Sequence, residues 1–536
     1  MFNKIKSTFL VLFGLAVLWS CESELDLVPE DNRETAASAF EDPAAYKQFL
    51  AKLYAGFAIS GQDGPAGDAD LSGLDEGFSQ YMRLYFKLQE LTTDEAVIGW
   101  NDGTIKDLHN QNWTSGNEFI RTMYSRVMYQ IAQSNEYLRQ TETSVLDGRG
   151  VDSGLRAEID TYRAEARFLR ALSYWHALDL YGNPPFVTEE DPVGAFLPEQ
   201  ITSAELFNYI EGELLAIESE LVAAGANEYG RADQGALWML LSKLYLNAEK
   251  YTGTPRYADV ITYTNKVIAA DYSLVDDYQK LFLADNNSNG AQNEIIFPIT
   301  FDGINTQAYG GMTFIIHAAV GGSMDPDNFG INGGWAGLRT TSALVNKFLD
   351  SEDDAIEEVA DQRALFYTDG QSKEINDISN FTNGYAVAKY KNVDVNGNAG
   401  SDPTGDFPDT DFPMFRLADA YLMYAEAVVR GAGGSQANAV DYINELRERA
   451  FGNADNNIST ADLSLNFILN ERARELYWEA HRRTDLIRFG QFSDGGVWPF
   501  KGGVPQGTTT EAFRDLFPIP ASDLGVNTNL TQNPGY

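Results

Sequence analysis

From Ala236 to Ala248, apolar residues recur at Leu237, Leu240, Leu241, Leu244, Tyr245 and Ala248, the three-and-four spacing of one buried helix face. Thr252-Gly253-Thr254-Pro255 interrupts the run, and Tyr257, Val260, Ile261, Thr264, Val267 and Ile268 resume it. Two amphipathic segments joined by so short a turn predict an antiparallel helical hairpin. The pattern returns at Phe415–Val429 with Ala437–Ala450, split by Arg430-Gly431-Ala432-Gly433-Gly434, and more loosely at Phe119–Arg139 with Arg163–Leu180. A further long helix is expected from Leu463 to about Arg488, where Glu471, Arg474 and Glu475 stand at helical spacing.

Small alanines at the crossings and aromatics in the gaps make these hairpins similar to tetratricopeptide-type units. Between about 281 and 412 the periodicity fades, Gly, Asn, Asp and Thr become frequent, and runs such as Glu294-Ile295-Ile296-Phe297-Pro298-Ile299 read as isolated strands. Irregular segments of that length inside a compact protein usually carry function. The expected fold is mostly α: a tetratricopeptide-like scaffold of helical hairpins over 35–280 and 413–490, with a loop-rich ligand-binding region over about 281–412 that holds short strands. No Pro/Gly/Ser-rich linker divides this body, so 35–536 reads as a single domain.

The chain opens with Lys4 and Lys6, an apolar run from Phe9 to Trp19, and then Ser20-Cys21. Basic, then apolar, then a small residue is the order of a secretory signal peptide, here residues 1–20, and the run is shorter than the ~20 residues a spanning helix needs. Cys21 is the only cysteine, so it has no internal disulfide partner, and its place at the cleavage boundary points to lipidation. The acidic stretch that follows, within 21–34, reads as a solvated tether like that of surface-exposed bacterial lipoproteins. Stable anchoring takes two or more acyl chains, so the mature protein would be anchored to the outer membrane and not span it.

Charge narrows the ligand. The chain has 78 acidic against 39 basic residues, a formal −39, and losing residues 1–20, which hold two lysines and no acid, takes it to −41. Such a charge repels phosphate backbones and excludes nucleic acid as the natural ligand. It also disfavours acidic polysaccharides on average, although local basic patches can exist, and a neutral glycan fits best.

Catalytic signatures are missing. His109, His176, His317 and His481 form no H-E-x-x-H spacing, and no G-x-S-x-G elbow, G-x-x-x-x-G-K loop or strand-borne G-x-G-x-x-G occurs. Asp94, Glu95 and Asp361 can be cast as acid and base, but among 78 acids some pair always lies ~5–10 Å apart, the range of glycosidases, and a structural role is commoner. Asp285-Asn286-Asn287-Ser288-Asn289-Gly290 matches the opening half of a calcium loop, with Glu294 as a further ligand beside Asp285, Asn287 and Asn289. Position 12 is Ile296, so the full motif fails and a polar turn is the simpler reading.

Aromatic residues in polar or glycine-rich surroundings are more telling: Trp100 before Asn101-Asp102-Gly103, Trp335 in Gly333-Gly334-Trp335-Ala336-Gly337, and Tyr309 before two glycines. A flat ring with little local packing can match the C–H face of a pyranose. Trp113, in Asn112-Trp113-Thr114, reads instead as a core residue.

Taken together, Asp68–Gly77, Leu91-Thr92-Thr93-Asp94-Glu95, Arg163–Leu172, Tyr181-Gly182-Asn183-Pro184-Pro185-Phe186, Asn470–Glu475, His481–Gly490, Phe517-Pro518-Ile519-Pro520 and Asn533–Tyr536 resemble the SusD family over nearly the whole mature chain. The resemblance implies a glycan-binding lid on a SusC-like TonB-dependent transporter, with no catalytic residues and no required cofactor. Within the family the chain is most similar to the starch-binding founding member. On that likeness Arg83, Tyr309 and Trp335 match its sugar-binding arc, while Ile98 stands where a further tryptophan is found. Either Trp100 then substitutes by a loop shift or the ligand differs, with Asn101, Asp102 or Gly103 near the polar position. The implied ligand is a starch-type α-glucan, with laminarin or another neutral glucan as runner-up; a surface glycoside hydrolase is the competing reading.

Overall fold

The computed structural model describes residues 39–71 and 74–536. The expected signal peptide 1–20, lipid acceptor Cys21 and tether 21–34 lie outside the described residues. The chain divides into two compact units, residues 1–48 and 49–536. In the first, the rings of Phe40 and Tyr46 meet at 4.9 Å. Among the described residues no helix is long and apolar enough to cross a membrane.

The scaffold is helical. Tyr81–Glu90 (α1), Glu118–Gln140 (α2) and Ser153–Tyr181 (α3) come first, α2 packing between the other two. Asn117 and Asp152 cap α2 and α3 by accepting bonds from the first free N–H groups, and Thr202 with Glu205 forms a capping box on Ser203–Ile217 (α4). The expected hairpin follows as Gln234–Leu246 (α5) against Tyr257–Ile268 (α6), with Gly253 at φ +75° in the turn. Its counterpart near the C-terminus is Leu417–Val429 (α7) against Gln436–Phe451 (α8). Phe415 and Arg416, expected to open that helix, belong instead to a strand, and α3 begins ten residues before the expected Arg163.

The expected Leu463–Arg488 helix is broken. Leu465–Leu476 (α9) ends at Tyr477, and Arg482–Arg488 (α10) follows. Between them Trp478 and Ala480 both sit at φ +61°, which costs non-glycine residues of order 1–2 kcal/mol each. Buried partners hold the break open: Ala480 N–H donates to Glu90 (2.6 Å), the Trp478 amide to Glu95 (3.2 Å), and Lys389 donates to the Tyr477 carbonyl (2.5 Å).

Short strands in the loop-rich region fix its two ends. Ile295–Ile299 pairs antiparallel with Phe412–Arg416, Ile295 opposite Arg416 and Ile299 opposite Phe412, so the intervening chain starts and finishes at one ribbon. Val97–Ile98 pairs with Leu338–Arg339, and Phe366–Tyr367 with Ala386–Val387. The region also contains a nine-residue helix, Gly311–Ala319, whose side chains are buried all round. It shows no amphipathic period because it has no solvent face.

A buried ionic network braces the C-terminal helices. Glu475 accepts from Arg416 (2.6 Å), Arg449 (2.5 Å) and Arg363 (3.1 Å), and Glu479 binds Arg416 and Lys389. Asp361, a possible catalytic acid by sequence, is held bidentately by Arg363 and is structural. Glu294 is likewise committed, to Arg416 (2.9 Å) and Arg449 (2.7 Å).

Candidate functional site

One strand pairing, Val97–Ile98 with Leu338–Arg339, brings the two tryptophan loops together. Trp100 lies two residues beyond Ile98 on one strand and Trp335 three before Leu338 on its partner, and Gly99 N–H donates to Gly337 O (3.0 Å), extending the ladder. The two indoles end with ring centroids 6.3 Å apart and planes inclined by 42°. Trp100 Nε1–H donates to the Trp335 carbonyl (3.1 Å), which fixes the first ring to the backbone of the second loop. Gly337 makes this possible: a β-carbon there would stand 2.5 Å from the Trp100 ring. Both indoles are half-buried, while Asn101 and Asp102 beside them are exposed.

Tyr309, also half-buried, packs on Phe407 (5.3 Å). Arg83, on α1, ties it in: Nη1 donates to the Tyr309 carbonyl (2.9 Å), and the guanidinium lies 4.6 Å above the ring of Phe314. Phe314 meets Trp100 edge-on at 5.9 Å, so Arg83, Phe314 and Trp100 form one connected series. Burial lowers the Arg83 pKa to about 10, opposed by the nearby charges of Asp75 and Asp102, and the group stays cationic at neutral pH. Tyr309's two glycines have a packing role: a β-carbon on Gly310 would meet Gln80 at 2.2 Å, and Gly311, at φ +49°, abuts Phe301. The side chain of Gln80 accepts from Gly311 N–H and from Arg83 N–H, 2.7 Å each, and locks the turn to α1.

Five contributors carried no sequence signal. Phe314 is fully buried at the centre of the cluster. His317, one turn further along the same helix, stacks on Trp335 (4.8 Å, 27°). Phe407 backs Tyr309, and Asp406 bridges the loops: its carbonyl contacts His317 Nε2 (2.9 Å) and its carboxylate accepts from Asn332 (2.7 Å). Lys87 lies beneath, fully buried, with its Nζ 4.5 Å from Phe119 and 5.0 Å from Phe314 and with no hydrogen-bond partner among the described residues. Burial pushes its pKa well down.

Other sequence candidates fall elsewhere. Ile98 is fully buried and offers no stacking face, and Trp113 is a core residue whose indole donates to Tyr536. Asp94 is gripped by Arg482 and Glu95 is 1 % exposed. The four candidate calcium ligands do not converge. Asp285 accepts from Asn289 (2.9 Å) and from Val395 N–H (3.2 Å) within a polar turn, Asn287 is exposed, and Glu294 belongs to the arginine network. Among the described residues no group of three or more His, Cys, Asp or Glu is arranged to hold a metal.

Comparison with known proteins places this architecture. The family model described as "SusD family" matches residues 353–536. The chain is 36% identical to Starch-binding protein SusD of Bacteroides thetaiotaomicron, an alignment covering 96% of each, and 28% identical to SusD-like protein P25 of Formosa agariphila over 71% of this chain and 74% of that one. Two solved structures share the fold. Surface glycan-binding protein A from Bacteroides fluxus has a TM-score of 0.69 at 20% identity, covering 92% of this chain and 99% of its own. Surface glycan-binding protein A from Bacteroides thetaiotaomicron, solved in complex with laminarihexaose, has a TM-score of 0.68 at 18% identity, covering 91% and 98%. With more than a third of its positions identical to a relative matched over nearly its full length, this chain belongs to the SusD family.

Proposed function

We propose that the chain is a surface-exposed outer-membrane lipoprotein, anchored through Cys21, that binds a neutral glucan and passes it to a SusC-like TonB-dependent transporter without cleaving it. The observation that carries this reading is the cluster of half-buried Trp100, Trp335 and Tyr309, joined through Arg83 and Phe314. Indole and phenol faces match the C–H faces of pyranose rings, and a guanidinium beside them can donate to sugar hydroxyls. Each ring adds ~0.5–1.5 kcal/mol beyond area burial if aromatic pairs are a guide, so several must engage one chain together. Affinity per site is then modest, and a density of copies on the surface supplies avidity.

The name of the 36%-identical relative, Starch-binding protein SusD, supports an α-glucan as first choice. Laminarin is the second reading, favoured by buried Ile98, which removes one stacking position, and by the laminarihexaose bound to a neighbour of the same fold. Against a hydrolase, Asp94 and Asp361 are committed to arginines. Calorimetric titration with amylopectin, pullulan, laminarin and xylan, with reducing ends assayed in parallel, tests the proposal. Heat with α-glucans and no new reducing ends supports it; binding to none of the four, or release of product, refutes it.

A further inference from the structure

We propose that a cavity between α9, α10 and the 491–498 loop is a second ligand site, built for a small carboxylate-bearing sugar such as a hexuronic acid. It has a volume of about 470 Å³, within the range of small-molecule sites, and shares no residue with the aromatic cluster. Three segments that the aromatic cluster leaves unused, Leu91–Glu95, Asn470–Glu475 and His481–Gly490, each send a side chain to its wall.

The wall is cationic in a protein with twice as many acids as bases. Lys347, Arg430, Arg482 and Arg488 line it against a single lining carboxylate, Asp94. The acids around them are shared. Asp94 serves Arg482 (2.6 and 2.7 Å) and, at 3.4 Å, Lys347; Glu426 serves Arg488 and Arg430, both at 2.7 Å. Asp485 serves Arg488 and Arg472, and Asp419 serves Arg472 and Lys243. Six cations therefore meet four carboxylates. The next acid, Glu95, is 3.5 Å from Arg482, and burial raises its pKa to about 7, so it supplies at most a partial countercharge.

Donors are also left over. Among the described residues Lys347 Nζ has only long contacts, 3.4 Å to Asp94 and 3.5 Å to Asn470 Oδ1, and Arg430 Nη2 is buried with no acceptor. The amides of Asn466 and Gln491, both exposed, have no hydrogen-bond partner among the described residues. Phe489, beneath Arg430 at 4.8 Å, and Trp498 supply apolar wall. Excess positive charge selects a carboxylate over a neutral group, and the free amides beside apolar surface suit the hydroxyls and C–H groups of a sugar. Interior ion pairs with a shared acid accept a further anion at less cost than balanced ones, because the added charge replaces missing attraction.

The test titrates the full-length protein with glucuronate, galacturonate, glucose and inorganic sulfate, read by saturation-transfer NMR and calorimetry at low and high salt. Uronates should saturate, weaken with salt, and outcompete glucose at this site. Lys347→Met should weaken them roughly tenfold or more, and Asn466→Trp, at an exposed position, should block the cavity. Both variants should keep the wild-type melting temperature and wild-type retention on neutral glucan, which separates this site from the aromatic one. No saturable uronate signal, or binding indifferent to both substitutions, would overturn the proposal; saturation by sulfate but not by uronates would overturn the assignment to a sugar.

Discussion

His317 lies against Trp335 with ring centroids 4.8 Å apart, and both of its nitrogens face backbone carbonyls, Gly333 O at 2.7 Å and Asp406 O at 2.9 Å. The imidazole therefore joins the loop that carries Trp335 to the loop that backs Tyr309. Neutral imidazole donates from one nitrogen only; the two carbonyls favour the proton and burial opposes it, with burial prevailing. His317→Phe keeps the stacking and removes the clamp. The expected result is a stability loss of about 0.5–1.5 kcal/mol, from the one hydrogen bond that the neutral imidazole donates, and weaker retention on neutral glucan. Chemical denaturation and affinity electrophoresis of the variant check both.

Gly337→Ala is the most local probe of the site. Its β-carbon would stand 2.5 Å from the Trp100 ring, so the indole must move and its bond to the Trp335 carbonyl must lengthen. Reduced glucan binding with a near-native melting temperature is expected. Trp fluorescence of the free and glucan-bound variant reads the displacement.

Lys87 has the opposite character: its amine, among three phenylalanine rings at 4.5–5.3 Å, has no acceptor among the described residues. Lys87→Met removes a buried unsatisfied amine and should stabilise the protein by about 1–3 kcal/mol. Because burial lowers the folded pKa below the unfolded one, the wild type bears this cost at neutral pH and sheds it as pH rises through that interval. Equilibrium unfolding at pH 7 and at alkaline pH should show the variant's advantage shrinking.

Acid should act through α9 and α10. Burial alone would raise Glu471 and Asp485, but Arg474, Arg363 and Arg447 around the first, and Arg472 and Arg488 around the second, outweigh it and bring each to about 2. Their folded pKa values lie below the unfolded ~4.3 and ~3.9, so the stability they contribute is complete above that range and is lost as pH falls toward 2. Glu95, raised to about 7 by burial, works in reverse and costs stability as pH rises from ~4.3 through 7. Glu95→Gln should flatten the melting-temperature profile on the neutral side and leave the acid limb intact, as calorimetry across pH would reveal.

The Tyr257–Ile268 helix was legible in the sequence because it has one wet and one dry face, and its partner Gln234–Leu246, buried nearly all round, through the length and leucine spacing of its run. Gly311–Ala319 was not, since burial all round erases the period. The Trp478–Ala480 break was hidden for another reason: its causes, Glu90, Glu95 and Lys389, lie far away in sequence. At the site, Trp100, Trp335, Tyr309 and Arg83 could be picked out by neighbours and family likeness. Phe314 and His317 could not, because their roles depend on which strands pair and not on local composition.

The central claim is that half-buried rings on this scaffold hold neutral glucan, and native affinity electrophoresis tests it most directly, with wild type and Trp335→Ala run through gels containing amylopectin or laminarin. Wild type should be retarded by at least one polymer, and Trp335→Ala should migrate as in a polymer-free gel with its melting temperature preserved. A variant retarded as strongly as wild type, or a wild type retarded by neither polymer, would contradict it.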